Sequence, residues 1–299
     1  MDRWHAMRIF AKVAETGSFA AAGRQLGLSP PAVTRAVAAL EAAIGTRLLT
    51  RTTRLVRLTE AGGRYVEDCR RILADIDEAE AAAAGAYATP TGTLSVTASV
   101  LFGEIYVLPI LTEYLDRHPA VSLRGLFLDR VANIVEEGID VAIRIGHLPD
   151  SGMAALRVGT VRRVVCGAPA YFARHGVPAH PGELARHRII APIGASTSLD
   201  WRFGSGASRG VTVQPRLSCN TNAAAIAAAS AGFGITRVLS YQVAGLLAAG
   251  KLQRVLAEFE EPPLPIHVIH PEGRRAAARV RSFVDLAVER LRANPLLQG

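Results

Sequence analysis

With 299 residues, 49% of them hydrophobic and 20% charged, the chain can bury a sizeable core and is expected to form two or three domains. Its apolar runs are broken by charge or Gly well short of the roughly 18 residues a membrane span needs, and its N-terminus lacks a signal-peptide core. These features predict a soluble cytoplasmic protein with no membrane partner.

The formal charge of +8 is unevenly placed, because residues 1–64 hold ten Lys/Arg against four Asp/Glu while residues 65–299 hold 24 against 22. That asymmetry points to a polyanion partner for the N-terminal region and a near-neutral task for the rest. Arg outnumbers Lys 32 to 2, which suits bidentate phosphate and guanine contacts but equally fits a biased base composition in the encoding genome.

In chain order, a first helix is expected over about Arg3 to Glu15, with Trp4, Met7, Phe10 and Val13 or Ala14 on one face. Two short helices follow. Ser18 and Ser29 stand at their starts as N-cap candidates, Gly27 marks the turn between them, and Pro30 occupies a first helical position where its missing N–H costs nothing. Val33, Val37, Leu40 and Ile44 form one apolar stripe on the second helix, leaving Pro30, Thr34, Arg35 and Ala38 on another face. A helix presenting a hydroxyl, a guanidinium and small side chains can approach base edges in a major groove.

After Gly45, residues 47–59 alternate as a short hairpin does, with Arg51 and Arg54 flanking a Thr52-Thr53 tip that could reach phosphates or a minor groove. From Thr59 one long helix is expected to about Tyr87. In it Tyr65, Cys69, Ile72, Ile76, Ala79 and Ala83 follow coiled-coil a/d spacing. About 28 residues make a rod of roughly 40 Å, and its seam predicts a dimer formed through this helix.

The run Met7-Arg-Ile-Phe, Thr16-Gly-Ser-Phe-Ala-Ala-Ala, Leu26-Gly-Leu-Ser-Pro-Pro-Ala-Val-Thr-Arg, Leu40-Glu-Ala-Ala-Ile-Gly-Thr-Arg-Leu-Leu-Thr-Arg-Thr-Thr-Arg and Leu58-Thr-Glu-Ala-Gly62 resembles the DNA-binding domain of the LysR-type transcriptional regulators. Val135-Glu-Glu-Gly-Ile-Asp-Val-Ala-Ile-Arg-Ile-Gly146 resembles a segment of the same family's effector domain. The likeness covers essentially the whole chain, most sharply residues 4–63; Pro30-Pro31 stands where a polar pair is more usual.

The resemblance implies an α/β protein with an N-terminal all-α winged helix-turn-helix (residues 1–59), a dimerising linker helix (60–88) and an effector-binding domain (89–299). That last domain is expected to be like type 2 periplasmic binding proteins. Its first lobe would hold about 92–162 and 266–299, its second about 163–265. The implied partners are double-stranded operator DNA, a small polar or anionic effector, RNA polymerase, and further copies of the chain in a homodimer or homotetramer; no cofactor is implied. Candidate DNA contacts are Ser18, Ser29, Pro30, Pro31, Thr34, Arg35, Arg51 and Arg54.

The C-terminal pattern agrees with an α/β reading. After the Thr89-Pro-Thr-Gly92 hinge, a strand at 94–98, a helix at 102–118, a strand at 121–127, a helix at 131–137 and a strand at 139–144 give a βαβαβ order and hence a parallel sheet. A second set begins near Arg163, includes the alanine-rich helix from Asn222 to Ala231, and closes at 232–236. The chain then returns to the first lobe at 266–269 and ends in a helix over about 275–292. Ligands in such sheets sit at strand carboxyl ends beside helix N-termini. The candidate effector contacts are accordingly Ser99, Leu101, Phe102, Arg144, Gly146, Ser196, Ser198, Asn220 and Thr221.

Catalytic readings fare worse. The glycine-rich runs 204–210 and 232–234 lack dinucleotide or P-loop spacing, no G-x-S-x-G elbow occurs, and Glu136-Glu137 reads as a solvated helix face. Cys69, Cys166 and Cys219 are far apart, and His267 and His270 point to opposite faces of a strand, so no metal set is expected. The remaining alternative is a solute-binding sensor without operator specificity. The basic front of the chain speaks against it.

Overall fold

A computed structural model describes residues 2–51, 56–83, 89–148, 152–193, 198–204, 210–271 and 276–298. The chain divides into two compact units, Met1–Thr93 with Ala277–Arg279, and Leu94–Ala276 with Val280–Gly299. Among the described residues, no helix is long and apolar enough to cross a membrane.

The first unit is a winged helix-turn-helix. Helices α1 (Arg3–Thr16), α2 (Phe19–Leu26) and α3 (Pro30–Ile44) precede an antiparallel pair, β1 (Leu49–Arg51) and β2 (Val56–Leu58), and then α4 (Glu60–Ala83). Met7, Phe10 and Val13 of α1 meet Val33, Val37 and Leu40 of α3 and Val66 and Cys69 of α4 in one buried cluster. Each such apolar side chain stabilises by about 1.5–3 kcal/mol when fully buried; this stripe-to-stripe packing is what holds α3 with its other face outward.

Local chemistry fixes the ends. The Ser18 hydroxyl accepts from the Ala21 N–H at 3.3 Å, and the Thr59 hydroxyl accepts from the Gly62 N–H at 2.9 Å. Gly27, at φ +66°, makes the turn between α2 and α3 in a conformation that side chains with a Cβ rarely adopt. Gly62 is required for a different reason: a Cβ there would lie 1.9 Å from the Leu48 carbonyl oxygen.

Two expectations are corrected in this unit. Ser29 occupies the N-cap of α3 but makes no capping bond through its side chain. Pro30 and Pro31 remove the first two N–H groups, and the third, on Ala32, bonds the Ser29 carbonyl at 2.9 Å. The coiled-coil seam also fails at its start, since Cys69 is fully buried and Tyr65 packs on Phe10 at 5.8 Å between ring centroids. The a/d pattern there is simply the face α4 turns to its own core; Ile72, 37% exposed, is the first seam position open to a partner. The expected end of this helix at Tyr87 lies outside the described residues.

The second unit has two mixed α/β lobes. One sheet has the order β4 (Val121–Phe127), β3 (Gly92–Ala98), β5 (Val141–Ile145), β14 (Leu264–His270), β6 (Ala154–Val161). The other runs β11 (Pro215–Cys219), β8 (Ile189–Pro192), β12 (Ile235–Leu239), β7 (Arg163–Gly167), β13 (Gln253–Val255). Strands β3 and β5 are parallel, as are β8 with β11 and β12, whereas β14 and β7 run antiparallel to their neighbours. The antiparallel strands are where the chain crosses between lobes, at Arg162 and between β13 and β14. The lobes are therefore mixed and not wholly parallel.

The helix after β3 begins as α5 (Val100–Phe102), loosens into a π turn at Gly103–Val107 and resumes as α6 (Leu108–Arg117). In the second lobe α7 (Pro169–His175) follows β7, β9 (Asp200–Arg202) and β10 (Gly210–Thr212) form a separate antiparallel pair, and α8 (Asn222–Ser230) and α9 (Ser240–Ala248) flank β12. The chain ends in α10 (Ala278–Arg292), which packs Phe283 edge-on against Tyr114 of α6, with centroids 5.4 Å apart.

The expected helix at 131–137 is absent. The Asn133 carboxamide oxygen accepts from the Val135 N–H at 3.2 Å, and Gly138, at φ +62°, closes a single turn over 134–138. An Asx-type cap two residues into a seven-residue segment leaves too few residues to repay helix nucleation. Val131 and Val135 are consequently exposed, at 81% and 68%.

Candidate functional site

On the first unit the outer face of α3 carries exposed Pro30, Pro31, Arg35 and Ala38, with Thr34 half-buried beside them. The Ser29 hydroxyl, left without a cap to make, is exposed at the start of this face. Ser18 is half-buried and committed to capping α2. Glu41 ties the far end of α3 to the wing, its carboxylate accepting from the Leu48 and Leu49 N–H groups at 2.8 and 3.0 Å. The wing is thus held in register with the helix it accompanies. Thr52, Thr53 and Arg54 lie outside the described residues, and Arg51 is described only as the last residue of β1. Arg24, Arg47 and Arg57, which the motif reading passed over, are also exposed on this unit, and none has a carboxylate partner among the described residues.

On the second unit a cleft of about 380 Å³ opens between the lobes, at the small end of the range for ligand sites. Of the residues expected there, Ser99, Arg144, Ser198 and Asn220 line it. Leu101, Phe102, Gly146 and Thr221 do not, and Ser196 lies outside the described residues. Leu101 packs into the apolar core around Val164 and Ala225. Phe102 is fully buried, edge-on to Tyr241 at 5.2 Å. Thr221 spends its hydroxyl on the Ala224 N–H, capping α8, and Gly146 gives its N–H to the Pro265 carbonyl. Each takes a structural role one step behind the lining.

The sequence reading missed Arg130, Arg163, Trp201, Arg237, Tyr241 and Gln242, all of which line the cleft. Burial pushes the Tyr241 hydroxyl up to about 12, so it is a neutral hydrogen-bonding group at physiological pH. Gln242 donates to the Tyr241 oxygen at 3.3 Å and accepts from the Leu239 N–H at 3.0 Å.

The charges are arranged in two sets. In the first lobe Arg130 holds Glu137 through both carboxylate oxygens at 2.7 Å, and this hydrogen-bonded pairing, strengthened by the Asn133 N–H, holds the Glu137 carboxyl down at about 2. Glu136 is exposed, and Glu137, half-buried, keeps its pairing with the half-exposed Arg130 at the surface, so the pair of glutamates is solvated although the segment is a turn and not a helix. Arg144 donates to the Ala132 carbonyl at 3.0 Å and has no carboxylate within ion-pair distance among the described residues. In the second lobe Glu261 is shared, 3.2 Å from Arg163 and 3.7 Å from Arg237. Arg237 lies over the Trp201 ring at 5.2 Å and donates to the Arg202 carbonyl at 3.0 Å. Its side chain is only 12% exposed, and burial brings its guanidinium down to about 10.

The three cysteines are free thiols. Cys69 and Cys166 are buried, and burial raises them to about 11 and about 12, the condition of inert structural thiols.

A winged helix-turn-helix on one unit and a two-lobed cleft on the other define a DNA-binding regulator that carries a ligand-binding domain. Residues 4–63 match the bacterial regulatory helix-turn-helix protein, lysR family, and residues 88–292 match the LysR substrate binding domain. The chain belongs to the LysR family of transcriptional regulators and is not an enzyme.

It is 36% identical to an HTH-type transcriptional repressor of Pseudomonas aeruginosa, over 100% of this chain and 95% of the relative. It is 30% identical to the HTH-type transcriptional activator AaeR of Escherichia coli, over 95% and 93%. Among solved structures, CrgA, a LysR-type transcriptional regulator from Neisseria meningitidis, superposes with a TM-score of 0.63 at 30% identity, covering 97% of this chain and 99% of that one. LysR-type regulators bind operator DNA and small-molecule effectors and form oligomers.

Proposed function

We propose that residues 1–59 read an operator, that the linker region (60–88), which begins with α4, joins two chains, and that residues 89–299 bind the effector and bias DNA binding and access of RNA polymerase. The observation that carries the DNA reading is the outward face of α3, where Thr34 and Arg35 stand among small side chains that let a helix approach base edges closely. Ser29, Pro30 and Pro31 sit at the edge of that contact, and Ser18 supports it by capping α2. Arg51 and Arg54 of the wing serve phosphates.

Two such units in a dimer, or four in a pair of dimers, read repeated half-sites. An effector in the cleft, touching Ser99, Arg144, Ser198 and Asn220, couples to DNA by preferring one arrangement of the lobes, and no more than that preference is needed.

The test is a mobility-shift titration of the full chain against its own upstream intergenic DNA, with scrambled competitor and a salt series. Retardation that survives competitor is the expected result. Arg51→Ala and Arg54→Ala should weaken binding to every sequence and flatten its salt dependence; an unchanged slope would remove them from the phosphate contacts.

A further inference from the structure

The cleft holds cations beyond what its own carboxylates balance. Glu137 gives both oxygens to Arg130, so Arg144 feels its charge without an ion pair and donates to the Ala132 carbonyl. Glu261 is divided between Arg163 and Arg237, with the nearer contact going to Arg163. Each lobe therefore has two arginines around one carboxylate. Asp129, the acidic residue that lines the cleft among the described residues, accepts the Val100 N–H at 3.1 Å at the start of α5, and the four lining arginines outnumber it.

A guanidinium that is nearly nine-tenths buried and shares its counter-charge is costly unless an anion completes it. Arg237 is such a group, and its stacking on Trp201 fixes where its remaining N–H donors can point. Arg144 supplies a second from the opposite lobe, at the end of β5. Neutral donors and acceptors on Tyr241, Gln242 and Asn220 lie on the same lining. At roughly 30 Å³ for each water-sized group, 380 Å³ accommodates on the order of a dozen non-hydrogen atoms.

We infer that the effector is a small organic dianion, a dicarboxylate, with one carboxylate on Arg144 and the other on Arg237, so that binding draws the two lobes together. This rests on the cleft being the effector site. Arg144 and Arg237 are then specificity-determining residues, and a monocarboxylate of the same skeleton leaves one arginine uncompensated. Proton balance is simple, since both carboxylates enter ionised and no bond forms or breaks.

Trp201 is one of only two tryptophans in the chain and lines the cleft, so the Trp4→Phe full-length protein reports binding through Trp201 emission. The probes are dicarboxylates of four to eight carbons, their monocarboxylate and diamide counterparts, and a broad set of neutral and cationic metabolites. Expected is saturable quenching or enhancement by a dicarboxylate, with the matching monocarboxylate at least about tenfold weaker and the diamide silent.

Arg144→Gln and Arg237→Gln should each bring the dicarboxylate down to the affinity of the monocarboxylate. Should Arg237→Gln lose its circular-dichroism signature, Arg237→Lys replaces it, with the charge kept and the fork lost; a preference for the dianion at reduced affinity is then expected. Binding of a monocarboxylate or a neutral compound as tightly as any dianion, or dianion binding indifferent to both substitutions, overturns the inference while leaving the cleft as the effector site. If no compound of any charge moves Trp201 emission or operator affinity, the reading of the cleft itself fails.

Discussion

The two units employ arginine in opposite ways. On the winged helix-turn-helix, Arg24, Arg35, Arg47 and Arg57 are exposed and have no carboxylate partner among the described residues. In the cleft, Arg130, Arg163 and Arg237 are paired, stacked or both, and Arg144 is tied to a backbone carbonyl. Exposed guanidinium groups remain hydrated and free to exchange counterions with a polyanion; their effect on binding is large, long-ranged and sensitive to salt. Arg130 and Arg163 stay half exposed, but Arg237, largely desolvated, is held in one geometry at a cost, and the effect of such a group is selectivity for a ligand of matching charge and shape. The same residue type thus serves affinity for a polymer in one place and discrimination among small molecules in the other.

The largest effect that separates the two units is expected at Gly62. A methyl group there would lie 1.9 Å from the Leu48 carbonyl oxygen, a backbone atom that cannot rotate away. Gly62→Ala must push the start of α4 off the wing, at a cost of about 3 kcal/mol. All DNA binding should fall, whatever the sequence or salt, while ligand-induced Trp201 emission persists. Loss of both together would mean that the units do not fold independently.

Next in size is Arg35→Ala, expected to lose about 1–3 kcal/mol of operator affinity with little change on scrambled DNA, and Thr34→Ala should follow in the same direction. Arg57→Ala is the contrast within the same unit: losses equal on both DNAs, and a salt slope reduced by about one. If Arg35→Ala also lost equally on both, α3 would be a phosphate-binding helix and base readout would have to come from elsewhere.

These contrasts follow how much of each region could be read in the chain. The recognition helix was legible because its determinants are local: Ser18, Gly27, Pro30 and the Val33, Val37, Leu40 stripe act within a few residues of one another. What failed there was equally local, since Pro30 and Pro31 carry no N–H and the Ala32 N–H goes to the Ser29 carbonyl and not to its hydroxyl. In the cleft, rules about strand ends located Ser99, Arg144 and Asn220 on the lining. They could not find Trp201, Arg237 and Tyr241, which arrive from β9 (Asp200–Arg202), β12 and α9 and meet only through tertiary packing. Nor could spacing tell that Tyr65 and Cys69 face their own domain, because an a/d pattern this short fits an intramolecular face as well as an intermolecular seam.

Removing the carboxylate that two cleft arginines share tests the charge balance of the cleft without touching those arginines. Glu261→Gln leaves Arg163 and Arg237 without their shared partner and should cost about 1–3 kcal/mol in denaturant unfolding. If charge governs ligand selection, the same variant binds dianions more tightly than the parent does. A fall in stability with no gain in dianion affinity would mark Glu261 as purely structural.

The smallest effect is a matter of pH. Its pairing with Arg130 holds the Glu137 carboxyl at about 2, against an ordinary value near 4.5, so the folded state binds this proton less readily than the unfolded chain. The stabilisation is fully present above the ordinary value and is lost as pH falls through about 2, because there both states are protonated. Glu137→Gln should therefore be less stable than the parent at pH 7 by a constant increment. The difference should narrow below about pH 4.5 and vanish near pH 2. Midpoints of urea unfolding at a series of pH values give the comparison directly. A gap that stayed constant across the whole range would mean that the Gln side chain fails for reasons of shape, and that the Arg130–Glu137 pair contributes through geometry and not through charge.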